Sequence, residues 1–216
     1  MSRYAHLAFT ELVRRFQESQ GSARANARRR ARDTGPDPLT SAESRFIAEQ
    51  DGFYLGTVGE TGWPYVQHRG GPAGFVHVLD ERTLAFLDVR GNRQYVTGGN
   101  LSASDKVALF FMDYAFQRRL KLLGRAVLRP LEDAGLLEAV SEPRTSGRAE
   151  RIVVITVEGY EWNCSQHITP RFTTEELSAG LSAMRGEIRR LQLENEDLRQ
   201  RITPGSDAPD GGSIPR

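Results

Sequence analysis

Three polar side chains stand together in Gln67-His68-Arg69, and two glycines, Gly70 and Gly71, follow them. A strand packed on a core alternates apolar and polar residues. Tyr65-Val66 begins such a strand, and the polar run interrupts it. A second cluster, Gly91-Asn92-Arg93-Gln94, lies where a strand pattern passes into a helical one. Free N–H groups and the positive dipole end of a helix N-terminus attract anions, and Arg93 adds a full charge. Arg118-Arg119 enters another strand, with Lys121 two residues on. A fourth cluster gathers Trp162, Asn163, Gln166, His167 and Arg171 within ten residues. Together the four supply cations for a phosphate, amides for a polar ring edge and an aromatic for a ring face. That set suits a nucleotide-like cofactor with a flat heterocycle. Each cluster also has a plainer reading: Asn92 as a helix cap, Arg93 and Arg119 as surface charges, His68 as a satisfied barrel histidine, Trp162 as core.

Other chemistries are excluded by residue types and spacing. The histidines at 6, 68, 77 and 167 show no metal-ligand spacing. The single cysteine, Cys164, rules out an internal disulfide and a multi-cysteine metal site. A Cys164/His167 nucleophile pair lacks an accompanying oxyanion motif. No Walker loop, dinucleotide fingerprint or nucleophile elbow is present. The net charge of +1 offers no global attraction to nucleic acid or anionic lipid. The run "ARRRAR" reads either as a phosphate or nucleic-acid patch or as a solvated arm. Without interleaved aromatics the solvated arm is favoured, and nucleic acid is not an expected partner. No signal peptide and no run long enough to span a bilayer are found, so a cytoplasmic protein without membrane partners is expected.

The elements that must position these clusters follow from periodicity. Leu7, Phe9, Leu12, Val13 and Phe16 predict an amphipathic N-terminal helix, followed by the basic arm, over 1–38. Thr40 with Glu43 forms a capping box, and Leu39 stands where a hydrophobic staple would. Seven short strand patterns follow: 53–58, 64–69, 74–80, 83–89, 106–114, 119–129 and 151–162. Helical pieces begin near Gly91 and around Pro130. Close spacing and few helices predict a nearly closed antiparallel barrel. A second capping box, Thr173 with Glu176, opens a heptad pattern at Leu177, Leu181, Met184, Ile188, Leu191, Leu198 and Ile202, with Asn195 filling the one gap. A buried asparagine fixes register in a parallel two-stranded coil, and Glu194 would face Arg199 of the partner subunit. A lone amphipathic helix packed on its own barrel is the alternative. The expected domains are therefore 1–38, a barrel over 39–172, a coiled-coil helix over 173–203 and a disordered tail over 204–216.

The strings "WPYVQHRGG", "GNRQY" and "WNCSQHITPR", with "RLKLLGRA" and the opening "YAHLAFT", resemble the FMN-binding split barrels related to pyridoxamine 5′-phosphate oxidase. The resemblance covers 39–172. It implies a mainly β, α+β fold: a six-stranded antiparallel split barrel with flanking helices, forming a homodimer that holds FMN in clefts between subunits. It also implies roles. Gln67 and His68 would address the flavin ring or ribityl chain and Arg69 the phosphate side, with Gly70 and Gly71 leaving room. Asn92, Arg93 and Gln94 would form the phosphate-binding turn. Arg119 falls where the family has a glutamine from the other subunit, and Trp162 and Arg171 near its C-terminal tryptophan and arginine. The family's C-terminal substrate-phosphate signature is missing, so the substrate is expected to be another small molecule. The implied activity is hydride transfer at flavin N5, with a separate reductase as one source of electrons. A deazaflavin-dependent reductase and a non-catalytic flavin- or haem-binding dimeric adaptor are the alternatives.

Overall fold

The computed structural model describes residues 3–30 and 35–202. Residues 31–34, where the arginine-rich segment ends with Arg32, and the tail beyond 202 lie outside the described residues. The chain divides after Pro170 into two units, the second of which begins at Arg171.

The first unit opens with three short helices: α1 (Arg3–Ala8), α2 (Glu11–Ser19) and α3 (Ala23–Arg30). The single amphipathic helix expected here is two helices, because Thr10 is extended (ψ 173°) and caps α2 by accepting from Val13 N. Helix α4 (Ser41–Ala48) starts with the expected capping box of Thr40 and Glu43, and Leu39 before it is buried. The strands then follow: β1 (Gly52–Val58), β2 (Pro64–Gly70), β3 (His77–Val78) and β4 (Thr83–Val89). After α5 (Val96–Ala103) come β5 (Lys106–Asp113) and β6 (Arg118–Arg129), then α6 (Ala134–Ala139) and β7 (Ala149–Trp162).

All seven strands belong to one antiparallel sheet, ordered β2-β1-β5-β6-β7-β4-β3. Among the described residues the sheet has seven strands rather than the expected six, because His77–Val78 adds a short rung to Leu84 and Ala85. Only these two residues survive from the longer strand expected over 74–80. Alternation sends Phe53, Leu55, Leu109, Phe111, Leu120, Leu122, Val153 and Ile155 into one core. Within it the Phe53 ring lies 4.9 Å from Phe111 and 5.5 Å from Phe86. Since β1 and β4 stand four ladders apart, this contact requires a tightly curled sheet. Strand β4 is also buried on its outer face, where Ala85 and Leu87 pack with Val140 and Ile152 beneath α6.

One close approach ties the N-terminus to the barrel. A Cβ on Gly159 of β7 would lie 2.5 Å from the backbone N of Tyr4, and Lys121 Nζ sits 4.8 Å from the Tyr4 ring. The second unit holds α7 (Thr174–Ile202), opened by its own capping box: Thr173 N donates to Glu176 Oε2 at 2.7 Å, and Glu176 N to Thr173 Oγ1 at 3.2 Å.

Because the atoms opposing Gly159 are backbone, α1 must move to admit a side chain. Gly159→Val is expected to lower stability by about 1–3 kcal/mol, as overpacking does. It should also speed amide exchange in residues 3–8 selectively. Unchanged exchange there would show that the contact does not hold α1.

Candidate functional site

Alternation decides which residues of β2 reach the barrel interior. Tyr65, Gln67 and Arg69 share one face and line a cleft of about 80 Å³. On β4 the interior face runs Leu84, Phe86, Asp88, and on β7 it runs Arg151, Val153, Ile155. Each of these strands is apolar through the core and turns charged at the cleft. Asp88 and Arg151 are direct cross-strand neighbours.

Arg69 Nη1 donates to Asp88 Oδ1 at 2.6 Å, joining β2 to β4, which share no backbone ladder. Arg151 Nε lies 3.4 Å from Asp88 Oδ2. That contact is an ion pair only, since the Nε of Arg151 and the Nε of Arg69 are both buried without a hydrogen-bond partner. Arg151 Nη2 donates to Glu150 Oε2 at 3.0 Å. Glu150 Oε1 accepts from Arg90 Nε at 2.7 Å and from the Tyr95 hydroxyl at 3.2 Å. These hydrogen bonds, led by that from Arg90, hold the Glu150 carboxyl below the ordinary carboxylate range.

The cleft's other wall is the turn into α5. Asn92 Oδ1 accepts from Gln94 N at 3.1 Å, an Asx turn. Arg93 (φ 63°) and Tyr95 (φ 53°) both occupy the left-handed region, a strained state for residues with side chains. This geometry aims the N-terminus of α5 at the cleft. No side chain caps it, and the N–H groups of Val96, Thr97 and Gly98 precede the first intrahelical bond, Gly99 N to Tyr95 O. Thr97 Oγ1 donates to Gln67 Oε1 at 3.0 Å, which leaves the Gln67 NH₂ as a donor. Arg93 makes no hydrogen bond or ion pair among the described residues. Three arginines, Arg69, Arg93 and Arg151, face two acids, Asp88 and Glu150.

Of the expected site residues, Gln67, Arg69, Asn92, Arg93 and Gln94 meet in this cleft. His68 does not, because a period of two turns it to the opposite face, where its ring lies 5.5 Å from Tyr54. Gly71 is small for a packing reason rather than to admit a ligand: a Cβ there would lie 2.3 Å from Thr145 Oγ1. Trp162 sits at the other end of β7, roughly 35 Å of strand from Arg151. Its Nε1 donates to Glu43 Oε1 at 2.7 Å, and its ring packs edge-to-face with Phe46, the ring centres 4.7 Å apart. Burial pushes the Glu43 carboxyl up, but hydrogen bonds from Thr40 and Trp162 outweigh it and hold it below its ordinary value. Arg119 lies at that same end, opposite Met112 on β5, and its backbone oxygen accepts from Asn163 N. Arg171 belongs to the second unit. Sequence reasoning missed Asp88, Glu150, Arg151, Tyr95 and Thr97. The available signal was charge at the ends of apolar strands: Asp88 closing "TLAFLDV" and Glu150-Arg151 opening β7.

A carboxylate whose folded-state pKa is depressed stabilises the fold above its unfolded value, near 4.5, and that contribution fades as pH falls through the folded value. Glu150→Gln is therefore expected to melt below the parent at pH 7, with the gap closing as both are titrated from pH 5 towards pH 3. A gap independent of pH would assign the loss to something other than the ionised carboxylate.

The family model for pyridoxamine 5′-phosphate oxidase matches residues 39–163. No curated protein sequence matches the chain. Among solved structures, HupZ of Group A Streptococcus is 17% identical over 62% of this chain and 99% of its own, at a TM-score of 0.47. A putative pyridoxamine 5′-phosphate oxidase from Lactobacillus delbrueckii is 21% identical over 58% of this chain and 94% of its own, at 0.45. An FMN-binding protein from Syntrophomonas wolfei is 13% identical over 58% of this chain and 86% of its own, at 0.42. At these scores the structural likenesses add nothing to the family match. That match spans more than half of the chain and takes in β1 to β7 with the cleft they build, so the chain belongs to the pyridoxamine 5′-phosphate oxidase family.

Proposed function

We propose that the chain is a homodimeric FMN-dependent oxidoreductase acting on a small molecule, with the cofactor phosphate held in the cleft at the N-terminus of α5. One observation carries the reading: Arg69 from β2 and Arg93 from the turn before α5 line a single cleft together with an uncapped helix end. Size fits the phosphate and not the flavin. The cleft holds about 80 Å³, whereas a pocket enclosing a drug-sized ligand is roughly 300–1,000 Å³. The donors also fit, since two buried Nε–H groups and the helix-end N–H groups lack acceptors among the described residues.

When bound, FMN supplies hydride transfer at N5 to or from the substrate. The chain's own residues bind and orient. Arg69, Arg93 and the α5 amides hold the phosphate, Asn92 and Gln94 shape the turn, and the Gln67 amide donates to the polar part of the cofactor. Arg119 keeps the role implied by the resemblance, a residue brought by the second subunit. His68 faces outward in this reading, and Trp162 serves α4.

Two uncovered apolar surfaces support a homodimer. On the outer sheet face, Tyr54 and Val66 stand exposed beside the half-buried Phe110 and Leu123. On α7 the seam residues Leu177, Leu181, Met184, Ile188, Leu191 and Leu198 are 46–63% exposed. The seam places Ile188 and Asn195 at a and Leu191 and Leu198 at d, the arrangement that favours a parallel pair. Glutamates at g (Glu187, Glu194) and arginines at e (Arg185, Arg199) favour the same orientation.

Purified protein is expected to show a flavin absorption spectrum or to quench added FMN. Arg93→Ala should weaken FMN binding about 10- to 100-fold, the loss of a charge-assisted contact of about 1.5–3 kcal/mol, without lowering the melting temperature. A colourless protein that leaves FMN fluorescence unchanged would end this reading. Separately, sedimentation equilibrium of the full chain is expected to give a dimer that Leu191→Asp weakens at least about tenfold. Equal association of both proteins would remove the coil from the interface.

A further inference from the structure

We propose that Asp88 is the positioning residue of the cleft, clasping Arg69 and Arg151 so that the remaining N–H donors of each guanidinium are held in a fixed direction for a ligand oxygen. The proposal rests on the reading of the cleft as a phosphate site.

A carboxylate beside an anion site is, by charge alone, a fault. The geometry explains its presence. Each Asp88 oxygen engages a different guanidinium: Oδ1 takes Arg69 Nη1 at 2.6 Å across the barrel split, and Oδ2 faces Arg151 Nε at 3.4 Å from the neighbouring strand. The three side chains are mostly buried, with 15% of Arg69, 16% of Asp88 and 25% of Arg151 exposed. Arg69 is further fixed with its guanidinium 6.0 Å from the centre of the Phe86 ring, and Arg151 by Glu150 and by the Tyr95 ring at 5.1 Å. Among the described residues both Nε atoms are buried without a hydrogen-bond acceptor, the contact of Arg151 Nε with Asp88 being an ion pair alone. A guanidinium has five N–H donors in a rigid fork, so pinning one edge sets the direction of the rest. Asp88 therefore trades a unit of unfavourable charge for two oriented cations.

The two effects predict opposite signs. If Asp88 acts only through its charge, Asp88→Asn strengthens phosphate binding and Asp88→Glu changes nothing. If it positions, both variants weaken it. The test compares FMN with riboflavin, which lacks the phosphate, by fluorescence titration of the folded proteins, with inorganic phosphate as competitor. The parent is expected to prefer FMN and to release it to phosphate. Both variants should lose at least tenfold of the FMN-over-riboflavin preference while riboflavin affinity stays unchanged, a pattern that general unfolding would not give. Should Asp88→Asn fail to fold by circular dichroism, Asp88→Glu decides alone, since it keeps the charge. An unchanged or increased preference in the folded variants overturns the positioning role and leaves the phosphate site standing. A parent that binds both flavins equally and ignores phosphate overturns the site itself, and the positioning role with it.

Discussion

The hydrogen bond from Arg69 to Asp88 is the constraint on which the site depends. The sheet ends in two edges, and the ladder does not close between β2 and β4. Aromatic packing inside the curl brings β1, the neighbour of β2, against β4, with Phe53 on Phe86. At the end of the split, where apolar residues stop, the Arg69–Asp88 side-chain pair spans it. Such a pair is not a source of net stability, because desolvation consumes most of the attraction. Its removal from one side is another matter, since an uncompensated buried charge costs about 3–5 kcal/mol. The pair therefore specifies geometry: it dictates how the two edges meet and where the arginine points.

From that closure the cleft follows. Two strands change from apolar to charged along their interior faces, Phe86 to Asp88 on β4 and Val153 to Arg151 on β7, and β2 lines the cleft beside them with Gln67 and Arg69. The interior is a dry core for most of its length and an ion-paired rim at one end. The chain leaves β4 at this rim, and two left-handed residues, Arg93 and Tyr95, turn it sharply enough to point α5 back at the same place. Strain of this kind persists only where surrounding contacts over-determine the turn. Here the Asx turn of Asn92, the Tyr95 hydroxyl on Glu150 and the Thr97–Gln67 hydrogen bond supply them.

The opposite end of the barrel is polar for a different purpose. Glu43 is buried at 5% exposure yet accepts from Thr40 N, the Thr40 hydroxyl and Trp162 Nε1. Tyr160 nearby has its hydroxyl pushed up to about 12, by burial first and by Glu43 next. This cluster anchors α4 to β7 and uses Trp162 as a hydrogen-bonded wall. A tryptophan, an acid and a tyrosine in one place resemble chemistry in sequence. In space they are satisfied by one another.

Much of this was written in local patterns. Capping boxes at Thr40 and Thr173 depend on spacings of three residues, and strand boundaries on alternation, so the starts of α4 and α7 and six of the seven strands were legible with errors of a residue or two, whereas the pieces expected near Gly91 and around Pro130 begin at Val96 and Ala134. The "GNRQ" turn and Arg69, which share the cleft, were recognisable as candidate anion-binding residues because cations beside glycines have few local uses. What lay beyond local patterns was partnership. The acid that would meet Arg69 stood nineteen residues away on a strand with which β2 forms no ladder, and no period in the sequence encodes a contact made by curling. Face assignment failed at His68 because three adjacent polar residues hide the alternation, and the strand's phase is decided only by what the neighbouring strands bury. Periodicity by itself thus determined the elements and the residues able to bind an anion. Tertiary closure decided which of them share a cleft, because only the curl of the sheet brings its distant edges within hydrogen-bonding reach.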